Sequence, residues 1–237
     1  MKRTTATSNK TTLISVDWDF FIPEKQNWDL GHRESLLYLK ILWMHRLYLK
    51  NEMKVNGLLR GFWNQMEFEE HPYVFVSDSH AFVMRAINAI QTNHKIDRVV
   101  LFDAHHDCWK KEKEGEIYCH DWGTHFRETG GELVWVYPDD EQHADMSGWS
   151  VPPSLERVPF GSQIELGKII GIHICRSGCW TPPWLDKRFI SFVKRAREKA
   201  GVKPIVMQTG EWNPLKERFT KEDWSQAEAL QKQIETF

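Results

Sequence analysis

Six short apolar runs recur along the chain, and each stops at a polar or turn-forming residue. They cover 12–16 before Asp17, 73–77 before Asp78, 98–102 before Asp103, 133–137 before Pro138, 168–174 before Cys175 and 204–208 before Thr209. Runs of this length, rich in β-branched and aromatic residues, read as strands. Helical periodicity fills most of the intervals, at 33–50, 79–93, 185–200 and 215–235. Continuous apolar strands alternating with helices predict an α/β fold with a mainly parallel central sheet flanked by helices. In such sheets ligands gather beyond the carboxyl ends of the strands, which is where the acidic residues fall here. The longest irregular segment, 138–163, is rich in Pro, Gly and charge, as a lid, a binding loop or a disordered stretch would be. Residues 1–12 read as a flexible polar tail and 13–237 as a single domain.

Composition narrows the choice of partner. With 237 residues, 41% of them hydrophobic, the chain suits one sizeable domain. Lys and Arg number 31 against 33 Asp and Glu, a net charge of −2, and no basic stripe marks a nucleic-acid surface. No apolar run approaches the ~18 residues of a membrane span, and the first residues lack the apolar stretch of a signal peptide. A soluble, cytoplasmic protein is expected, without nucleic acid or membrane as partner and with a homo-oligomer left open. Four cysteines, Cys108, Cys119, Cys175 and Cys179, are too few and too uneven for a disulfide framework and read as reduced thiols. A zinc site at Cys175 and Cys179 would lack two further ligands at sensible spacing. Twelve tryptophans are unusual, and Trp149, Trp180, Trp184 and Trp212 lie in loop-like stretches, where core packing and a binding surface are both open.

The strand ends hold the chemistry. Asp17 and Asp19 stand in "SVDWDFF", His80 in "VSDSHAFV", and Asp103, His105 and Asp107 in "DAHHDC". If a strand continues through either acidic motif, alternation puts the first, third and fifth residues on one face. Four carboxylates crowded together repel unless they are compensated. Two divalent cations balance four carboxylates with both histidines neutral, and mixed Asp and His donors suit Mn²⁺, Zn²⁺ or Fe²⁺ better than Ca²⁺ or Mg²⁺. Each fragment has a plainer alternative: a helix cap or turn for Asp17 and Asp19, a core or helix-start histidine for His80. The cluster "DAHHD" directly behind an apolar strand is the strongest single signal.

These motifs resemble those of the arginase/deacetylase superfamily, in its ureohydrolase branch. "DAHHD" fits the family's Asp-Ala-His-x-Asp, "SVDWDFFIP" fits most of Ser-x-Asp-x-Asp-x-x-Asp-Pro, and "SDSHAFV" fits Gly-Gly-Asp-His-Ser loosely. The 23 residues from His80 to Asp103 are similar to the family's interval. The resemblance implies a three-layer arginase/deacetylase-like fold with two Mn²⁺ per chain. His80, Asp103, Asp107 and Asp17 would hold one ion, and Asp103, His105, Asp17 and Asp19 the other. His120, 13 residues after Asp107, matches the spacing of the family's proton-shuttling histidine, with His125 in reserve. A hydrogen-bonded structural histidine is the alternative for His120, and His106 is either a supporting group or points to the other face. Two departures stand out. The Asp-x-Asp strand is at the N-terminus rather than last, as in a circularly permuted or rearranged chain. Ile22 replaces the third motif's final Asp, although Pro23 is kept.

A guanidinium substrate requires an acidic partner outside the metal ligands. Glu211 in "QTGEWNP" is the first candidate for this catalytic and substrate-binding role, with Glu24, Glu67 and Glu69 as alternatives and a solvated surface carboxylate as the plainer reading of each. Trp180 and Trp212 are candidate substrate-binding residues. The segment after the Asp-Ala-His motif, "CWKKEKEGEIYCHDW", lacks the Ser/Asn-rich pattern by which free-arginine enzymes grip an amino acid. Together with the early Asp-x-Asp, this resembles the peptide arginases of bacterial ribosomal-peptide pathways. They convert peptidyl arginine in a precursor peptide into ornithine. A ureohydrolase acting on a free guanidino compound, a zinc deacetylase-type amidohydrolase and a non-catalytic metal-binding scaffold are the competing classes.

Overall fold

The computed structural model describes residues 9–22, 35–138, 151–208 and 213–234. Seven parallel strands form one sheet: β1 (Thr11–Asp17), β2 (Phe68–Ser77), β3 (Arg98–Phe102), β4 (Glu132–Tyr137), β5 (Glu156–Pro159), β6 (Lys168–Cys175) and β7 (Ile205–Val206). Their spatial order is β5-β4-β3-β1-β6-β2-β7. Five α-helices accompany them: α1 (Leu36–His45), α2 (Val83–Gln91), α3 (Trp122–Glu128), α4 (Asp186–Ala200) and α5 (Lys221–Ile234).

Side-chain alternation along the strands divides the core in two. Ile14, Val16, Val74, Val76, Val100, Phe102, Ile172 and Ile174 share an apolar layer with Trp43 of α1, Phe189 and Phe192 of α4 and Ala227 of α5. Leu13, Phe75, Val99, Leu101, Leu133 and Trp135 share the opposite layer with Val83 and Ile87 of α2 and Trp122 and Phe126 of α3. The sheet is therefore buried on both faces, and its central strands are mostly apolar rather than alternating. This is the three-layer α/β arrangement expected from the sequence.

Several elements differ from the sequence reading, β2 beginning at Phe68 and α5 at Lys221 among them. Thr11 and Thr12, placed in the tail, belong to β1: the Thr11 amide donates to Asp97 Oδ2 at 3.0 Å, and Thr12 is fully buried. Residues 33–50 yield α1 and then a 3-10 turn at Leu47–Asn51. The long irregular segment contains β5, a half-exposed edge strand; Pro159 is tolerated at its end because an edge does not require every N–H. The part of that segment covering 139–150, with Trp149, lies outside the described residues. Helix α3 went unpredicted because its seven residues are too few to establish a period. No described helix is long and apolar enough to cross a membrane.

Candidate metal centre

Strands β1 and β3 pair in parallel with Val16 opposite Phe102, so Asp17 and Asp103 emerge side by side at the carboxyl end of the sheet. Neither strand continues through its acidic motif, contrary to the alternation that the sequence suggested. The chain turns instead. Asp17 caps a 3-10 turn at Trp18–Phe21, its Oδ1 accepting from the Asp19 amide at 3.1 Å. The plain capping role and the ligand role thus coexist in one carboxylate, since Oδ2 is free to face elsewhere. His80 opens the 3-10 turn His80–Phe82 after β2, where Ser79 Oγ accepts from the Ala81 amide. Asp107 adopts a left-handed backbone (φ 49°), an unfavourable conformation for a residue with a Cβ that brings its carboxylate back toward Asp103.

A glycine stabilises that turn. The Gly123 amide donates to the Asp107 carbonyl at 2.8 Å, and a Cβ on Gly123 would lie 2.8 Å from the same oxygen and 2.7 Å from Cys108 Sγ. Helix α3 can approach so closely only with glycine there. The same approach lets Trp122 Nε1 donate to Asp107 Oδ2 at 2.7 Å.

The six predicted ligands form one buried cluster. His80 Nδ1 lies 2.8 Å from Asp107 Oδ2, 3.0 Å from Asp103 Oδ2 and 3.2 Å from Asp17 Oδ2. His105 Nδ1 lies 3.0 Å from Asp19 Oδ2 and 3.5 Å from Asp103 Oδ1. Two three-residue sets, Asp17–His80–Asp103 and Asp19–Asp103–His105, each place one donor atom per residue within 4.8 Å of the others. Asp103 belongs to both sets; Asp17 joins the first alone. Backbone amides anchor the remaining oxygens, with His105 N donating to Asp103 Oδ1 at 2.7 Å and Ala104 N to Asp19 Oδ1 at 3.4 Å. Asp103 Oδ2, Asp19 Oδ2 and His80 Nδ1 are buried without a well-directed hydrogen bond. One ring nitrogen cannot satisfy three carboxylates at once. These donors fit a cation, and the buried Asp and His groups can hold a metal ion.

The electrostatics of the metal-free cluster agree. Burial, then the charge of Asp19, raises Asp17 from 3.8 to about 6. Burial and the charges of Asp107, Asp19 and Asp17 push Asp103 well above the carboxylate range. Burial alone would lower His80, but its contacts with Asp103, Asp107 and Asp17 carry it well above the usual histidine value. For Asp19, burial is outweighed by His105, whose charge holds the carboxyl below its ordinary value. Protons occupy the place that a cation would take.

A cavity of about 330 Å³ opens onto the cluster, lined by Asp17, His80, His105 and Asp107 and, farther out, by Trp109, Lys110, Glu112, Cys119, His120, Ser177 and Trp180. His120 and Trp180 both line this cavity, and the Trp180 ring centroid is 4.8 Å from that of His105. His125 is not among the lining residues; its Nε2 sits 3.8 Å from Asp121 Oδ1. His106 points away from the cluster: it is buried, its Nδ1 accepts from the Cys108 amide at 2.9 Å, and it packs against Trp109 and Trp135. Glu211, Trp212 and Glu24 lie outside the described residues.

Sequence reasoning passed over Glu112, whose Oε1 is 3.5 Å from His120 Nε2. It is embedded in the charged run "KKEKE", which looks like a solvated loop, and only its position five residues beyond the last ligand hinted otherwise. Ser177, the other left-handed residue at the cavity (φ 49°), carried no signal. The four cysteines form no disulfide, and Cys175 Sγ accepts from the Ser177 amide and joins no metal set among the described residues. Comparison with protein-family models, curated proteins and solved structures gives no match for the chain.

Proposed function

We propose that the chain is a binuclear Mn²⁺ hydrolase that cleaves a guanidino group to release urea, converting peptidyl arginine in a precursor peptide to ornithine. The observation that carries this reading is the pair of ligand sets sharing Asp103, whose Asp17, His80 and His105 line a cavity that is also lined by His120 and Glu112. Asp17, His80, Asp103 and Asp107 would hold one ion and Asp19, Asp103 and His105 the other. Two bound ions supply a water activated at neutral pH and polarise the group under attack.

The chain's own residues do the remainder. Glu112 offers a carboxylate to the guanidinium and orients it through charge-assisted hydrogen bonds. Trp109 and Trp180 line the cavity and suit the aliphatic stem of an arginine within a longer chain. His120, beside Glu112, holds a proton for the nitrogen that departs when the carbon–nitrogen bond breaks. The oxygen of water ends in urea, and its two protons end on the product amine, which leaves as an ammonium.

The test incubates the protein and Mn²⁺ with free arginine, agmatine or an Arg-containing peptide, measuring urea and peptide mass. Urea release with a peptide mass loss matching arginine-to-ornithine conversion is expected, and His120→Ala should lower kcat by roughly 10²–10⁴-fold with Mn²⁺ content unchanged. Turnover of free arginine alone would sink the peptide substrate. One metal per chain and acyl-lysine cleavage would favour a deacetylase-type enzyme instead.

A further inference from the structure

Three polar residues interrupt the apolar sheet face beneath the cluster. Ser15 of β1 pairs in register with His173 of β6, and His173 pairs with Phe75 of β2, two residues before Ser77. All three are fully buried on the face that packs against α2 and α3, where an apolar residue would cost less. They are linked in a chain. Ser77 Oγ bonds the Ser79 carbonyl at 2.7 Å and His173 Nε2 at 2.9 Å; Ser15 Oγ bonds His173 Nδ1 at 3.1 Å and His80 Nε2 at 2.8 Å.

The direction of every bond follows from its fixed end. A carbonyl only accepts, so the single Ser77 hydroxyl proton points at Ser79, and Ser77 must accept from His173 Nε2–H. His173 lies wholly buried with hydroxyls on both ring nitrogens, a setting that favours neutral imidazole, whose Nδ1 is then an acceptor. Ser15 gives its proton to that Nδ1 and has only lone pairs left for His80. The His80 proton is therefore drawn to Nε2, and the Nδ1 lone pair is left facing Asp17, Asp103 and Asp107. We infer that Ser77, His173 and Ser15 form a relay that sets the tautomer of His80 and so presents Nδ1 as a metal ligand, an inference that rests on the metal-centre reading above. His173 and Ser15 are positioning residues. They touch no ion themselves and act through the ring they orient.

Titration calorimetry with Mn²⁺ at fixed pH tests this. Ser15→Ala and His173→Phe should each weaken Mn²⁺ binding by about 10–100-fold. The double variant should lose little more than either single one, because both break the same chain. A merely structural role would lower Tm and leave the affinity of the folded variants alone, so folded variants within about twofold of wild type would overturn the relay. A second measurement needs no variant: ¹⁵N spectra of histidine-labelled protein loaded with diamagnetic Zn²⁺ should show His80 protonated at Nε2 and bound through Nδ1. Binding through Nε2 would overturn the inference while leaving the metal centre standing. Wild-type protein that takes up neither Mn²⁺ nor Zn²⁺ would remove the metal centre itself.

Discussion

The Asp186 cluster and the Asp103 cluster are both buried, both charged and both close to the carboxyl ends of strands, yet they are built on opposite plans. Asp186 accepts from Arg176 Nε at 3.2 Å, from Arg218 Nε at 3.0 Å and from the Arg218 amide at 2.8 Å, and pairs by charge with Arg176 Nη2 at 2.6 Å and Arg218 Nη2 at 2.9 Å. Arg218 turns its remaining donor toward the Gly178 and Thr181 carbonyls. Opposite charges meet, and both carboxylate oxygens of Asp186 find hydrogen bonds. The cluster ties the N-terminus of α4 to the loop after β6, which brings Ser177 and Trp180 to the cavity. Around Asp103, four carboxylates converge on two ring nitrogens, and two of their oxygens have no hydrogen bond. Paired buried charge is structure. Buried carboxylates that converge beside a cavity make a site that can hold a cation, because in the metal-free protein protons must offset their repulsion.

Substitution should separate the two plans. Asp103→Asn removes the carboxylate common to both ligand sets, so Mn²⁺ binding and all metal-dependent turnover should vanish, as read by metal analysis of the purified variant. Its metal-free Tm should stay level or rise, since the folded protein no longer buries a carboxyl whose ionisation burial and the neighbouring carboxylates oppose. Asp186→Asn should do the reverse. Two buried guanidiniums lose their counter-charge, costing about 3–5 kcal/mol, or roughly 6–20 °C in Tm. A variant stable enough to purify should still take up Mn²⁺. If Asp103→Asn lowers the metal-free Tm as steeply as Asp186→Asn does, the distinction between the clusters fails.

The legible and illegible parts of this molecule differ in range. Six of the seven strands announced themselves because each is a local apolar run ending in a charged or turn residue, and the ligands Asp17, Asp19, Asp103, His105 and Asp107 sit within a few positions of those ends; the half-exposed β5 gave no such signal. His80 was likewise picked out just beyond an apolar run, and its interval from Asp103 added support. What escaped depends on distant contacts. Ser15 and His173 are 158 positions apart and meaningful only once β1 and β6 are paired. Arg176, Asp186 and Arg218 carry no motif. Helix α3 is specified by the fit of Gly123 against the Asp107 turn, which no periodicity reveals. Glu112 was hidden by its own charged context.

The smallest expected effect is a pH dependence that only the Asp103 cluster should show. In the metal-free protein Asp17 titrates at about 6 rather than 3.8, so between about pH 4 and pH 6 the folded state keeps a proton that the unfolded chain has released. Stability then falls as pH rises through that window. The raised value of His80 has the same sign: its contribution is complete below the ordinary histidine value of 6.5 and is lost as pH climbs through the higher folded one. Metal uptake expels these protons, so affinity should increase with pH while metal-free stability decreases. Tm measured with Mn²⁺ and with a chelator, at about pH 5 and about pH 7.5, should show a gap that widens at the higher pH by roughly 2–8 °C. Asp103→Asn should abolish that gap at both pH values. A gap in wild type that is constant or narrows with pH would mean that protons and metal do not compete for the same carboxylates.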